Sequence, residues 1–183
     1  MPRRIVLTKA GGPNTLAVIP MDMPEPKAGE IRIEVAYAGI NFADLLMRLG
    51  LYQPRPKYPF TPGYEMSGTV DAVGDGVTEF TVGQRVVAGL PNGGQASHVI
   101  VNSERALALP DDVGLDVAAA IPVTYLTAHH MLHHLGHMKE DDSVLIHGGA
   151  GGVGTAALQI CQWAGAVSYT HLRAHETGRN LVC

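Results

Sequence analysis

Residues 143–165 read SVLIHGGAGGVGTAALQICQWAG, and this stretch decides the fold. Ser143 to His147 is an apolar run of strand length, stopped at once by glycine. Gly149-Ala150-Gly151-Gly152-Val153-Gly154 then fits the pattern G-x-G-x-x-G. Beyond it, Val153, Ala156, Ala157, Ile160 and Ala164 fall on one helical face, and Gly165 suits the C-terminal stop. A lone glycine pattern is weak evidence in a chain with 22 glycines. Strand, glycine turn and helix in immediate succession are stronger, because each glycine then has a purpose. Glycines permit the tight turn, the close approach of backbone to a pyrophosphate and the packing of helix on strand. Amide N–H groups at the helix start, aided by the helix dipole, suit an anionic phosphate. An ordinary glycine-rich turn without a ligand is the competing reading of the same residues.

Upstream, residues 1–120 read as a β-rich unit. Glu30 to Tyr37 alternates, predicting Ile31, Ile33, Val35 and Tyr37 on one face and Arg32 and Glu34 on the other. Further strands are expected at Arg4–Leu7, Leu16–Ile19, Gly68–Val73, Arg85–Ala88 and His98–Val101. Gly11-Gly12-Pro13, Lys27-Ala28-Gly29, Gly74-Asp75-Gly76 and Pro91-Asn92-Gly93-Gly94 supply the turns between them. One short helix is predicted from Phe42 to Leu49, closed by Gly50. Leu115 to Leu135 reads as helical, interrupted near Pro122. A second domain therefore begins at about residue 121 and runs to 166.

After Ala166 the character changes. VSYTHLRAHETGRNLVC, residues 167–183, has neither periodicity nor turn chemistry, and it resembles the translation of a transposon-based sequencing adapter. The segment is expected to be a non-native tail on a truncated chain, so His171, His175 and Cys183 are set aside as ligands.

Composition narrows the function classes. Hydrophobic residues at 46% and charged residues at 16% describe a globular chain. The formal charge of −4 is scattered, and no basic run exceeds Arg3-Arg4, which leaves nucleic acid no surface to rest on. No stretch has the length of a membrane span. Two cysteines make no disulfide framework, so a cytoplasmic setting is expected.

Several stretches in order, Gly39-Ile40-Asn41-Phe42-Ala43-Asp44, Arg48-Leu49-Gly50-Leu51-Tyr52, Pro62-Gly63-Tyr64-Glu65, Gly83-Gln84-Arg85-Val86 and the glycine turn, resemble the medium-chain dehydrogenase/reductase superfamily. Asn41 to Tyr52 is similar to zeta-crystallin-type quinone oxidoreductases and equally to vesicle amine transport protein homologues. The resemblance implies a GroES-like β-barrel domain, then the start of a Rossmann doubly wound parallel sheet, with an active site in the cleft between the domains. It also implies that about half the natural protein is missing and that the complete protein is a homodimer.

Zinc-dependent relatives hold a metal near Gly-His-Glu. Here that motif reads Gly63-Tyr64-Glu65, Asn41 lies in the segment where a first Cys ligand would sit, and no cysteine precedes Cys161. No zinc is expected. Without a metal, the matching chemistry is hydride delivery to a quinone or α,β-unsaturated carbonyl, whose developing charge is delocalised enough for hydrogen-bond donors to suffice.

The resemblance assigns Asn41 to the nicotinamide ribose or the substrate, Tyr52 to the cleft where its hydroxyl could orient a carbonyl oxygen, and Thr127 to the nicotinamide end. Asn41 and Tyr52 are thus the catalytic candidates, with Asn41, Thr127 and Gly149, Ala150, Gly151, Gly152, Val153 and Gly154 as the cofactor-binding set. Each side chain also has a plain structural reading: a helix N-cap for Asn41, a half-buried ring for Tyr52, a hydroxyl on the preceding helical turn for Thr127. Glu65 reads as a loop anchor. His129, His130, His133, His134 and His137 make i,i+4 pairs, yet with no third ligand nearby they read as a solvated helix face. The function expected is an NADPH-dependent, zinc-independent quinone or enone oxidoreductase, with NADH left open and these 183 residues inactive by themselves. The alternative is a non-catalytic or weakly catalytic nucleotide-binding protein of the vesicle amine transport or zeta-crystallin type.

Overall fold

The computed structural model describes residues 1–54 and 56–171. Two compact units divide the chain, Met1–Pro122 and Val123 onward. The expectations for residues 172–183, including those for His175 and Cys183, lie outside the described residues.

In the first unit, β1 (Arg3–Leu7) and β2 (Leu16–Pro20) form an antiparallel hairpin in which Ile5 faces Val18. β3 (Glu30–Ala38), β4 (Glu65–Val73), β5 (Arg85–Gly89), β6 (His98–Asn102) and β7 (Ala106–Ala108) form an antiparallel sheet in the order β6-β3-β4-β5-β7. Its core is Ile31, Ile33, Met66, Val70, Val86, Ala88, Val99 and Val101, the inward set of successive strands. Burying such aliphatic side chains stabilises by about 1.5–3 kcal/mol each before chain entropy is counted.

Two differences from the sequence reading have physical causes. Ile31 and Ile33 are buried as the alternation requires, but Tyr37 is 51% exposed. The β3–β4 register shifts between Val35 and Tyr37, and a bulge inserts one residue that re-phases every side chain after it. β7 was not predicted at all. Ala106-Leu107-Ala108 is too short and too alanine-rich to signal a strand, and pairing with Val86–Ala88 of β5 imposes the conformation.

α1 (Phe42–Leu49) has the predicted bounds. Gly50, at φ +76°, is its left-handed cap, and its N–H returns to the Met47 carbonyl at 3.0 Å. α2 (Leu115–Ala118) and α3 (Pro122–His129) divide the predicted helix at Pro122, which opens the second of them. From His130 to Leu135 the winding becomes a π-helix.

In the second unit, β8 (Ser143–His147), α4 (Gly152–Trp163) and β9 (Val167–His171) form a β-α-β unit whose strands run parallel. Regular structure therefore continues five residues past the boundary drawn at Ala166. Val, Tyr and Thr accept an extended conformation, and the crossover helix delivers them beside β8. Ala128, Ile146, Ala156, Ala157, Cys161 and Ala166 form the core here. α4 buries Gly154, Ala156, Ala157 and Cys161, while the expected Val153 is 36% exposed. Small residues along that stripe let the helix approach the strands closely. Gly165, at φ +74°, ends it.

Candidate functional site

The glycine turn of the second unit is built by close backbone contact. Gly148 adopts φ +70°, and the Gly151 N–H donates to its carbonyl at 3.0 Å. A Cβ on Gly154 would lie 2.7 Å from Cα of Gly149 and nearer still to the Gly148 oxygen, so only glycine lets the first turn of α4 rest on the loop. Gly149 and Gly154 are buried by this packing, whereas Ala150, Gly151, Gly152 and Val153 are exposed. Gly151 is the N-cap and brings no side chain to it, and no acidic residue stands in the first turn. The N–H groups there, which no intrahelical carbonyl can reach, are left to an outside acceptor. A pyrophosphate fits this arrangement in charge, in donor type and in the space the glycines clear.

In the first unit, Asn41 precedes α1 and is held by two carboxylates from different parts of the chain. Its backbone N–H donates to Asp44 Oδ2 at 2.9 Å, within a capping box formed by Asn41 and Asp44. Its side-chain Nδ2 donates to Glu65 Oε1 at 2.7 Å. Asp44 also accepts from the Gly63 N–H at 3.0 Å, which ties α1 to the loop before β4. Burial pushes the Asp44 carboxyl above the usual carboxylate range, and the N–H groups of Asn41 and Gly63 pull against that rise. Glu65 is 2% exposed. Gly39 makes room for it: a Cβ there would stand 2.6 Å from Glu65 Cγ and nearer to Oε1.

Beside this network lies a pocket of about 370 Å³ lined by Tyr52, Pro54, Pro56, Tyr64, Pro91 and Asn92. Tyr52 and Tyr64 meet edge to face with ring centroids 6.5 Å apart. Burial, first, and then the neighbouring Tyr52 push the Tyr64 phenol up to about 12, so it stays a neutral hydroxyl at ordinary pH. Its oxygen lies 3.9 Å from Met47 Sδ. Rings and prolines dominate the lining, a largely apolar surface suited to a planar, weakly polar ligand.

The structure thus joins Asn41 to Asp44, Gly63 and Glu65, and Tyr52 to Tyr64. Glu65, read from sequence as a loop anchor, does hold a segment, and the segment is the start of α1. Sequence reasoning passed over Asp44 and Gly39. The Asn-x-x-Asp spacing ahead of an apolar run was the available signal for the first, and nothing local signals the second. Thr127 is exposed on α3. The histidines share one region: His129 and His133 rings lie 4.6 Å apart and His130 and His134 stack at 5.2 Å. The π-helical winding adds an i,i+5 neighbour, His129 with His134 at 5.8 Å. Among the described residues no group of three or more His, Cys, Asp or Glu is placed to hold a metal, and no helix is long and apolar enough to cross a membrane.

Residues 27–111 match the alcohol dehydrogenase GroES-like domain family. Over 161 residues the chain is 42% identical to the synaptic vesicle membrane protein VAT-1 homolog of Danio rerio, covering 87% of this chain and 33% of that protein. The crystal structure of the human VAT-1 homolog-like protein superposes with a TM-score of 0.91 at 37% identity, spanning 96% of this chain and 58% of that one. The quinone oxidoreductase of Thermus thermophilus, solved alone and in complex with NADPH, superposes with a TM-score of 0.82 at 35% identity, spanning 95% of this chain and 55% of that one. The chain therefore spans between a third and somewhat over half the length of these relatives.

Proposed function

The chain belongs to the quinone-oxidoreductase and VAT-1-homologue branch of the medium-chain dehydrogenase/reductase superfamily, and on that premise we propose an NADPH-dependent, zinc-independent oxidoreductase acting on a quinone or α,β-unsaturated carbonyl. The observation that carries the proposal is the glycine turn. Gly154 packs against Gly148 and Gly149, and the uncapped first turn of α4 faces solvent with no acid in it.

Bound there, NADPH supplies the hydride. The chain's own residues supply the rest. Backbone N–H groups of 152–154 hold the diphosphate, and the helix dipole favours its charge. Tyr52, Tyr64 and the three prolines form an apolar pocket in which a flat acceptor loses water contact. A phenol can donate a hydrogen bond to the oxygen on which charge develops, and Tyr52 lines that pocket. At the positions where zinc relatives place ligands, Tyr64 and Asn41 offer a neutral phenol and an amide already engaged by Glu65. Neither suits zinc, which prefers thiolate, imidazole or carboxylate.

Similarity to the VAT-1 homologues supports a second reading, nucleotide binding without turnover. The test uses the protein at the full length of its relatives. NADPH is titrated with NADH as control, and NADPH oxidation is followed with 1,2-naphthoquinone and with an enone. Turnover with either acceptor supports the oxidoreductase, tight binding without turnover supports the second reading, and no binding of either nucleotide refutes both.

A further inference from the structure

We infer that His129 and His133 form a two-histidine site for a divalent transition-metal ion, Cu²⁺ or Zn²⁺, where α3 passes into the π-helical turn. The site uses none of Asn41, Tyr64 and Glu65, and it stands apart from the nucleotide reading.

Imidazole binds such ions through a nitrogen lone pair that lies in the ring plane, at about 2.0–2.1 Å. Adding about 1.1 Å from nitrogen to ring centre puts each ring centre about 3.2 Å from the ion. Two rings set at about 90° around one ion then stand about 4.5 Å apart. His129 and His133 stand 4.6 Å apart, with their planes inclined by 46°. Planes so inclined can converge on a single ion. The other histidines do not meet both conditions. His130 and His134 stack at 5.2 Å with 29° between planes, which lays their lone pairs side by side. His129 and His134, at 5.8 Å, need about 130° at the ion, wider than neighbouring ligands of a tetrahedral or square-planar ion. His137 lies past the helix end at φ +49°, which takes it out of helical spacing with His133.

A second observation points to the same place. Nε2 of His133 is shut off from solvent and, among the described residues, has no hydrogen-bond partner. A buried polar nitrogen left alone is costly, and a metal ion is a partner that neutral imidazole readily takes. His129 is exposed, so its ring can turn aside to admit an ion. With no third His, Cys, Asp or Glu placed to join them, water completes the coordination. Imidazole donors favour Cu²⁺, Ni²⁺ and Zn²⁺ over Mg²⁺ and Ca²⁺, with Cu²⁺ the tightest. His129 ends α3 and His133 belongs to the wider turn, so a shared ion ties the two windings together. That turn is closed by the Gly136 N–H donating to the Met131 carbonyl at 2.8 Å, a bond that the ion protects from opening.

The test uses the full-length protein, with each metal chloride added alone. Calorimetry should show one site for Cu²⁺ and for Zn²⁺ and none for Mg²⁺. Frozen-solution electron paramagnetic resonance of the Cu²⁺ form should show coupling to two nitrogens. His129→Gln and His133→Gln should each weaken both metals by at least about tenfold, because the first ligand holds the second at high effective concentration. His130→Gln and His134→Gln should change affinity by less than about twofold, since neither removes a ligand of the pair. Zn²⁺ should slow amide exchange at Gly136 in the wild type and leave it unchanged in His133→Gln. Equal losses in all four variants would mean adventitious binding to a histidine-rich surface and overturn the site. Absence of binding, or copper coupled to fewer than two nitrogens, overturns it as well. The copper spectrum is read on the wild type, so a variant that fails to fold does not leave the question open.

Discussion

Three glycines of one turn differ in what a methyl group would meet, so the same substitution should have three outcomes. In Gly154→Ala the new Cβ falls 2.7 Å from Cα of Gly149, where a relaxed carbon pair sits at roughly 3.5–4.0 Å. The overlap of about 1 Å is with backbone, which cannot rotate away, and overpacking of that kind costs about 1–3 kcal/mol. The better helix propensity of alanine returns up to about 1 kcal/mol. With the full propensity gain returned, the net loss is about 0–2 kcal/mol, up to a factor of about 30 in the local folding equilibrium. In Gly152→Ala the nearest atom is Thr124 Cγ2 at 3.0 Å, a side-chain methyl that can give way, so stability is expected to be unchanged or slightly raised. Gly148→Ala meets nothing within 4 Å but must hold φ +70°, which costs about 1–2 kcal/mol, partly offset by the stiffer unfolded chain. Amide hydrogen exchange at Ala156, Ala157 and Cys161 reads the second unit directly and does not assume that both units unfold together. NADPH titration of the same variants gives the functional consequence, with Gly154→Ala the weakest binder. Equal protection in all three variants would refute the reasoning, since it would mean that the Gly154 contact carries no weight.

Gly39→Ala should destabilise the first unit by about 1–3 kcal/mol, because its Cβ meets a Glu65 side chain that is buried and bonded. Chemical denaturation measures this, and a wild-type midpoint would show that Glu65 has room to move. Tyr64, raised from 10.0 to about 12, is more weakly acidic folded than unfolded, so its contribution is fully present below about pH 10 and is lost as pH rises toward 12. Near-ultraviolet phenolate absorbance of the folded protein should show one group titrating late, and Tyr64→Phe should remove it. Ionisation of every tyrosine near the ordinary value would contradict the burial assigned to that ring.

Most of what was legible in the sequence was local. α1 was read to the residue because its start, its apolar spacing and its closing Gly50 all lie within ten residues of one another. The β8–turn–α4 succession was read the same way. Asn41 and Tyr52 were singled out through resemblance, and that pointed to positions without saying what surrounds them. Pro122 was recognised as an interruption, but the π-helical winding of His130–Leu135 was not, since the spacing of those histidines fits an α-helix equally well. The exposed side of Tyr37 was misread because a bulge forms between two strands and leaves no mark on the alternation of either one.

Sequence alone settled the order of elements, the β-rich first unit and the glycine turn, because periodicity and turn chemistry act over a few residues and every copy of the pattern carries its own cause. Tertiary structure decided the rest. Glu65 reaches Asn41 across 24 positions, Tyr64 meets Tyr52, and Ala106–Ala108 becomes a strand against β5. Those outcomes depend on which distant segment a strand brings alongside, and buried polar groups then take whatever partner that packing supplies.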